Sequence, residues 1–194
     1  MRAILIGFCF LLPGCANDLR VDHPFETDTP GELVIVEVLE GGLKRVHVDA
    51  TSKTAQVFLD LDEGREMKLE EAFSTSGWEL AFKRDKVGVN SGPNSPTGMV
   101  EVAVLSGIDF DGLTQAPAGG FSVDTGNGVF NPVGLEGGWY FYDLGVHRLV
   151  TRTELTYLIH TSAGAYVKLR MLEYYDAAGT PAAITLEYAS IAAP

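Results

Sequence analysis

Few side chains in this sequence have the type and spacing that chemistry needs. Its histidines, at positions 23, 47, 147 and 160, are too far apart to form a short metal-binding motif. His147 stands out by its neighbours, because it follows the aromatic run Trp139-Tyr140-Phe141-Tyr142. Such a run also suits a strand with one face in the core and one on the surface. Asp60, Asp62, Glu63 and Glu66 gather around Gly64. They lack the D-x-[DN]-x-[DN]-G frame and closing glutamate of a calcium loop, and the stretch reads as a polar turn. Asp109-Phe110-Asp111-Gly112 is a weaker form of the same pattern and also reads as a turn. No G-x-S-x-G elbow presents a nucleophile. The loop 90–98 has neither the glycine spacing nor the lysine of a phosphate cradle. Among 26 acidic residues nothing singles out a catalytic carboxylate pair.

The elements that must position these residues read as strands. Residues 33–39 (LVIVEVL) form a β-branched run, and Gly41-Gly42 signals a hairpin turn. Residues 43–49 alternate, so that Val46 and Val48 share the buried face and His47 points away. Strands are expected over 55–61, 78–85 and 99–105. In 78–85, Trp78, Leu80 and Phe82 face the core, opposite Glu79, Ala81 and Lys83, and 86–90 continues that strand. Residues 67–73 have partly helix-forming composition but also suit a strand edge. A short extended piece at 121–124 separates two glycine-rich connections.

The stretch 137–188 organises the rest: an aromatic strand, a link bearing His147, two β-rich runs joined at Ala163-Gly164, and a last strand behind Gly179-Thr180-Pro181. In 155–160, Leu155, Tyr157 and Ile159 share one face. In 166–175, Val167, Leu169 and Met171 oppose Lys168 and Arg170, and then Leu172 and Tyr174 take the other phase. A one-residue slip of this kind predicts a β-bulge. Helix-period segments of any length are absent, so the expected class is all-β, a single domain of packed, mostly antiparallel sheets.

The first residues carry an address. Arg2, an apolar run over 4–12 and then Leu12-Pro13-Gly14-Cys15 resemble a bacterial lipoprotein signal with its lipobox. Cleavage before Cys15 removes residues 1–14, and Cys15 becomes the lipid attachment site. The apolar run is too short to span a bilayer as a helix. Cys9 leaves with the signal, so no disulfide is possible in the remaining chain. Residues 15–31 are polar, contain two prolines and read as a tether, with 32–194 as the folded domain. Signal removal takes Arg2 and no acid, leaving 13 basic against 26 acidic residues. Such a surface repels phosphate backbones, which excludes nucleic acid as a partner. Ala16 is not the aspartate that resembles an inner-membrane retention signal, so the outer membrane is the expected site.

Several pieces, in order, resemble the HmuY-like family of bacterial surface lipoproteins, whose best-known members bind haem. They are Trp78-Glu79-Leu80-Ala81-Phe82 with Asn90-Ser91-Gly92, Gly138-Trp139-Tyr140-x-Tyr142, His147, Tyr157-Leu158-Ile159, Gly164-x-Tyr166-x-Lys168-Leu169 and Leu172-x-Tyr174-Tyr175. The resemblance implies packed sheets and haem capture with handover, without chemical turnover. It implies His147 as an axial ligand to iron, with Trp139, Tyr140 and Tyr142 packing the porphyrin. The other reading of His147 is a structural histidine at a strand end. Family members resemble one another in gripping iron from two sides with histidines or methionines. Here the position directly after the aromatic strand holds Asp143-Leu144, and 127–138 holds neither residue type. His160 falls where the family pattern resembles arginine, and reads as a sheet-face residue. The implied partners are haem or a haem-carrying protein, the membrane through the lipid anchor, and an outer-membrane transporter. Two alternatives are a lipoprotein of the same fold that binds a protein or another apolar ligand, and an envelope hydrolase.

Overall fold

The computed structural model describes residues 32–125, 128–131 and 138–194. The signal segment, Cys15 and the tether lie outside the described residues, as do 126–127 and 132–137 of the glycine-rich connection.

Strand β1 (Val34–Val38) and β2 (Lys44–Asp49) form the first hairpin, turning through Gly41 and Gly42, both at positive φ. Val46 and Val48 are fully buried, as the alternation predicts, while His47 lies on the other face with Nδ1 3.0 Å from Thr185 Oγ1. Next come β3 (Val57–Asp60), β4 (Arg65–Met67), a short helix α1 (Leu69–Ser74), β5 (Leu80–Lys83) and β6 (Lys86–Val89). These strands make a four-stranded antiparallel sheet in the order β4-β3-β5-β6. The larger sheet contains β7 (Glu101–Ser106), β8 (Ser122–Val123), β11 (Leu155–His160), β12 (Tyr166–Tyr175) and β13 (Pro181–Ile191), ordered β1-β2-β13-β12-β11-β7-β8. Between β8 and β11 the chain makes a separate hairpin of β9 (Tyr140–Asp143) and β10 (Arg148–Thr151).

One core joins the two larger sheets. Leu59, Leu80 and Phe82 from the smaller sheet pack in the same cluster as Val46, Tyr157, Ile159, Leu169, Met171, Ile184 and Leu186 from the larger one. Phe130 stacks on Tyr157 with ring centroids 4.1 Å apart. The predicted bulge is present: β12 pairs Met171 with Leu186 but Glu173 with Thr185, and the slip returns Tyr174 to the core. On the outer face of the same sheet, the carboxylate of the buried Glu187 accepts hydrogen bonds from Arg45 Nη2 and Arg170 Nη2, both at 2.7 Å. Arg45, Glu187 and Arg170 are register partners on adjacent strands, so the clamp is a consequence of strand pairing.

Several expectations change. Residues 86–90 do not continue the strand before them: the chain reverses at Arg84, which has φ 57°, and β5 and β6 form a hairpin. Trp78 leaves the phase of Leu80 and Phe82. It sits behind the smaller sheet with Phe58, Met67, Ala72 and Ala81, where α1 covers the second face. That cover also resolves 67–73, whose later part is helical because Ala72 has a surface to bury. Glu79, expected on an exposed face, is fully buried. Finally, the link after the aromatic strand contains β10, and both faces of β11 are buried, including Thr156 and Leu158.

Candidate functional site

The β9–β10 hairpin brings His147 and Tyr142 together. Asp143 starts its turn by accepting hydrogen bonds at Oδ1 from Gly145 N (2.7 Å) and Val146 N (3.3 Å). His147 ends the turn at φ 53°, the left-handed region, which suits glycine or asparagine better than an imidazole. The register pairs Leu149 with Tyr142 and Arg148 with Asp143. Tyr142 Oη then lies 3.2 Å from His147 Nδ1, a hydrogen bond in which either group can donate. Among the described residues Nε2 of His147 has no partner, and the imidazole is exposed with the rest of the turn. Leu144 is 69% exposed and Val146 62%, so the tip is apolar as well as accessible.

Beside the tip runs a groove of about 380 Å³ between β10 and the bulged end of β12. Val146 and Arg148, the chain neighbours of His147, line it, with Leu149, Leu172 and Tyr175. The Arg148 guanidinium lies 4.1 Å from the centre of the Tyr175 ring, and Tyr175 Oη accepts a hydrogen bond from Leu149 N at 3.1 Å. The groove lining thus mixes apolar side chains with the Arg148 cation and two carboxylates, Glu173 and Asp176, and His147 adjoins it in the chain between Val146 and Arg148. Its size falls in the range of small-molecule sites, roughly 300–1,000 Å³.

The structure divides the four predicted cofactor-binding residues into two pairs. Trp139 is fully buried and Tyr140 nearly so. Trp139 Nε1 donates to Asp85 O at 3.1 Å, and Tyr140 Oη donates to Asp85 Oδ2 at 2.5 Å. Burial, and then the Asp85 carboxylate, push the Tyr140 hydroxyl above its usual range. Trp139 and Tyr140 therefore root the hairpin on the β5–β6 turn, and only Tyr142 and His147 reach the surface. His160 is stacked on Tyr166 at 4.5 Å, with Nδ1 3.2 Å from Glu101 Oε2, as a sheet-face residue. Of the acids around Gly64, Glu63 turns to Arg65, and Glu66 bonds Leu33 N and Lys68. The sequence reading missed the groove-lining Arg148 and Tyr175. An Arg-Leu-Val run could have signalled the strand that sets them face to face.

The donor set fits a flat, metal-centred ligand from one side. Nδ1 of His147 is occupied by Tyr142, which leaves Nε2 as the donor; a metal-binding imidazole is ordinarily held in this way through its other nitrogen. Leu144 and Val146 offer apolar contact, and Arg148 offers a positive charge for carboxylates. A second His or Met donor is absent from 127–138 of the sequence.

Two antiparallel sheets closed over one core, with a rooted hairpin whose tip borders an open groove, define an all-β protein. The chain belongs to the HmuY family, whose model, described as HmuY protein, matches residues 52–188. The apo HmuY analog of Tannerella forsythia is similar in structure, with a TM-score of 0.55 at 15% identity, covering 81% of this chain and 96% of that one. A candidate HmuY-like haem-binding protein from Bacteroides vulgatus gives a TM-score of 0.52 at 18% identity, covering 76% and 91%. A candidate lipoprotein from Bacteroides fragilis gives 0.51 at 20%, covering 80% and 95%. No curated protein sequence matches the chain. At these identities the structural likeness establishes the fold. Among the described residues no helix is long and apolar enough to cross a membrane.

Proposed function

We propose that this chain captures haem as cargo at the β9–β10 hairpin and passes it on without chemical turnover, while anchored to the outer membrane through lipid on Cys15. The observation that carries the reading is the placement of His147: an exposed imidazole in a left-handed turn position, its Nδ1 engaged by Tyr142 and its Nε2 without a partner among the described residues, between two chain neighbours, Val146 and Arg148, that line a groove. A residue kept in a strained backbone region that glycine would fill at less cost points to a use for its side chain. Haem iron would take Nε2 of His147, with Tyr142 orienting the ring and Leu144 and Val146 against the macrocycle. Arg148 would pair with a propionate. The description of the Bacteroides vulgatus relative as a haem-binding candidate supports the ligand. Haemin added to the purified chain tests it, through a shifted, saturable Soret band.

The anchor rests on the lipobox-like Leu12-Pro13-Gly14-Cys15. A Cys15→Ala variant is expected to leave the membrane fraction, and one that still partitions with membranes counts against the anchor. A second reading keeps the groove but not the iron: another flat apolar ligand fills it. It is favoured by the lack of His or Met in 127–138, and it predicts saturable binding of iron-free protoporphyrin as tight as that of haemin.

A further inference from the structure

We propose a second binding site, for a divalent cation of calcium size, formed by Asp60, Asp62 and Glu79 and backed by the hydroxyl of Tyr188. These residues come from separate elements: Asp60 ends β3, Asp62 lies in the turn to β4, Glu79 precedes β5 and Tyr188 is in β13. One carboxylate oxygen from each acid lies within 4.8 Å of the others. Calcium takes oxygen ligands at about 2.3–2.6 Å, so three oxygens at that spacing can share one ion. Asp60 and Glu79 are buried and Asp62 is exposed, which gives the ion a route in and room for water.

The carboxylates are held in place by neutral donors. Glu79 accepts from Leu61 N (2.7 Å), Ser162 N (3.2 Å) and Ser162 Oγ (2.7 Å). Asp62 accepts from Thr161 Oγ1 at 2.8 Å and Asp60 from Glu63 N at 2.8 Å. Arg65 approaches Asp60 Oδ2 at 3.8 Å, but no lysine or arginine among the described residues pairs with Asp62 or Glu79. The negative charge is therefore fixed in position and only partly answered.

Tyr188 supplies the independent observation. It is 1% exposed, and its hydroxyl has no hydrogen-bond partner among the described residues. That hydroxyl points under the Asp60–Arg65 turn: a Cβ on Gly64 would lie 2.8 Å from it, and Gly64 N bonds Asp60 O. The Lys44 ammonium lies at the same distance from that Cβ position and 5.1 Å from the centre of the Tyr188 ring, so it competes with the ion at the rim. A buried hydroxyl normally finds a partner, and the charges of Asp60, Glu79 and Asp62 all act on Tyr188, so its neutral oxygen under the same turn can join them around a hard cation. An ion held there would tie the smaller sheet, through Asp60, Asp62 and Glu79, to the larger one at Tyr188 and to the 161–162 turn.

Calorimetric titration of calcium chloride into the purified, chelator-treated chain tests the site. Saturable binding is expected, at least about tenfold weaker in Asp62→Asn, which alters an exposed ligand, and weaker in Tyr188→Phe, which removes an unpartnered hydroxyl. Both variants are expected to keep the wild-type melting temperature in chelator. No saturable binding up to about ten millimolar calcium, or wild-type affinity in both variants, overturns the proposal.

Discussion

Tyr142 Oη lies 3.2 Å from Nδ1 of His147, across the tip of a hairpin whose base is buried under Trp139. The contact fixes one nitrogen of the imidazole and leaves the other outward. A Tyr142→Phe variant keeps the ring but loses the hydrogen bond. Haem affinity is expected to fall roughly tenfold with the Soret position unchanged, because the bond orients the ligand and does not replace it. Absorbance titration with haemin checks this.

The left-handed backbone at His147 sets stability against function. A His147→Gly variant relieves the positive φ and is expected to raise unfolding stability by about 0.5–1 kcal/mol, after the extra chain entropy of glycine is counted. The same variant is expected to lose haem. A urea midpoint that falls would show that the side chain stabilises the turn.

Trp139 holds the hairpin from below through Asp85 O and the ring of Tyr174, 5.9 Å away. Trp139→Leu leaves a cavity and orphans the Asp85 carbonyl, at an expected cost of about 3 kcal/mol. The loss is read in the urea midpoint. Haem affinity is expected to drop with it even though Trp139 never reaches the surface.

Glu187 gives the pH prediction. Burial alone would raise its carboxyl, but the bonds from Arg170 and Arg45 outweigh burial and hold it below the usual carboxylate range. A depressed carboxyl stabilises the fold above its unfolded value and loses that contribution as pH falls through the folded value. Wild type is thus expected to be more stable than Glu187→Gln near neutrality, by about 2 kcal/mol. The gap between their urea midpoints should close as pH falls below about 4.5. A gap that does not shrink at all between neutrality and pH 3 would mean that charge is not its source.

What the sequence makes legible here is local. Alternation places Val46 and Val48 in the core, and the phase break after Met171 marks the bulge, because both depend on residues one or two apart. Ordered family pieces carry the fold. Other features depend on distant chain. Glu79 looks like an outward residue by alternation, but it is buried because the 161–162 turn and Leu61 close over it. Trp78 changes face because α1 offers a second surface. Among the four candidate residues, the aromatic run did not show that Trp139 and Tyr140 point inward while Tyr142 points out, since that follows from Asp85 on another hairpin.

Haem capture through His147 is the central claim, and the most direct measurement is a haemin titration of the purified chain beside His147→Ala, followed at the Soret band. A saturable, red-shifted Soret band in the wild type that is lost in the variant is predicted. An unshifted, nonsaturable spectrum in the wild type, or the same shifted band in both proteins, would contradict it.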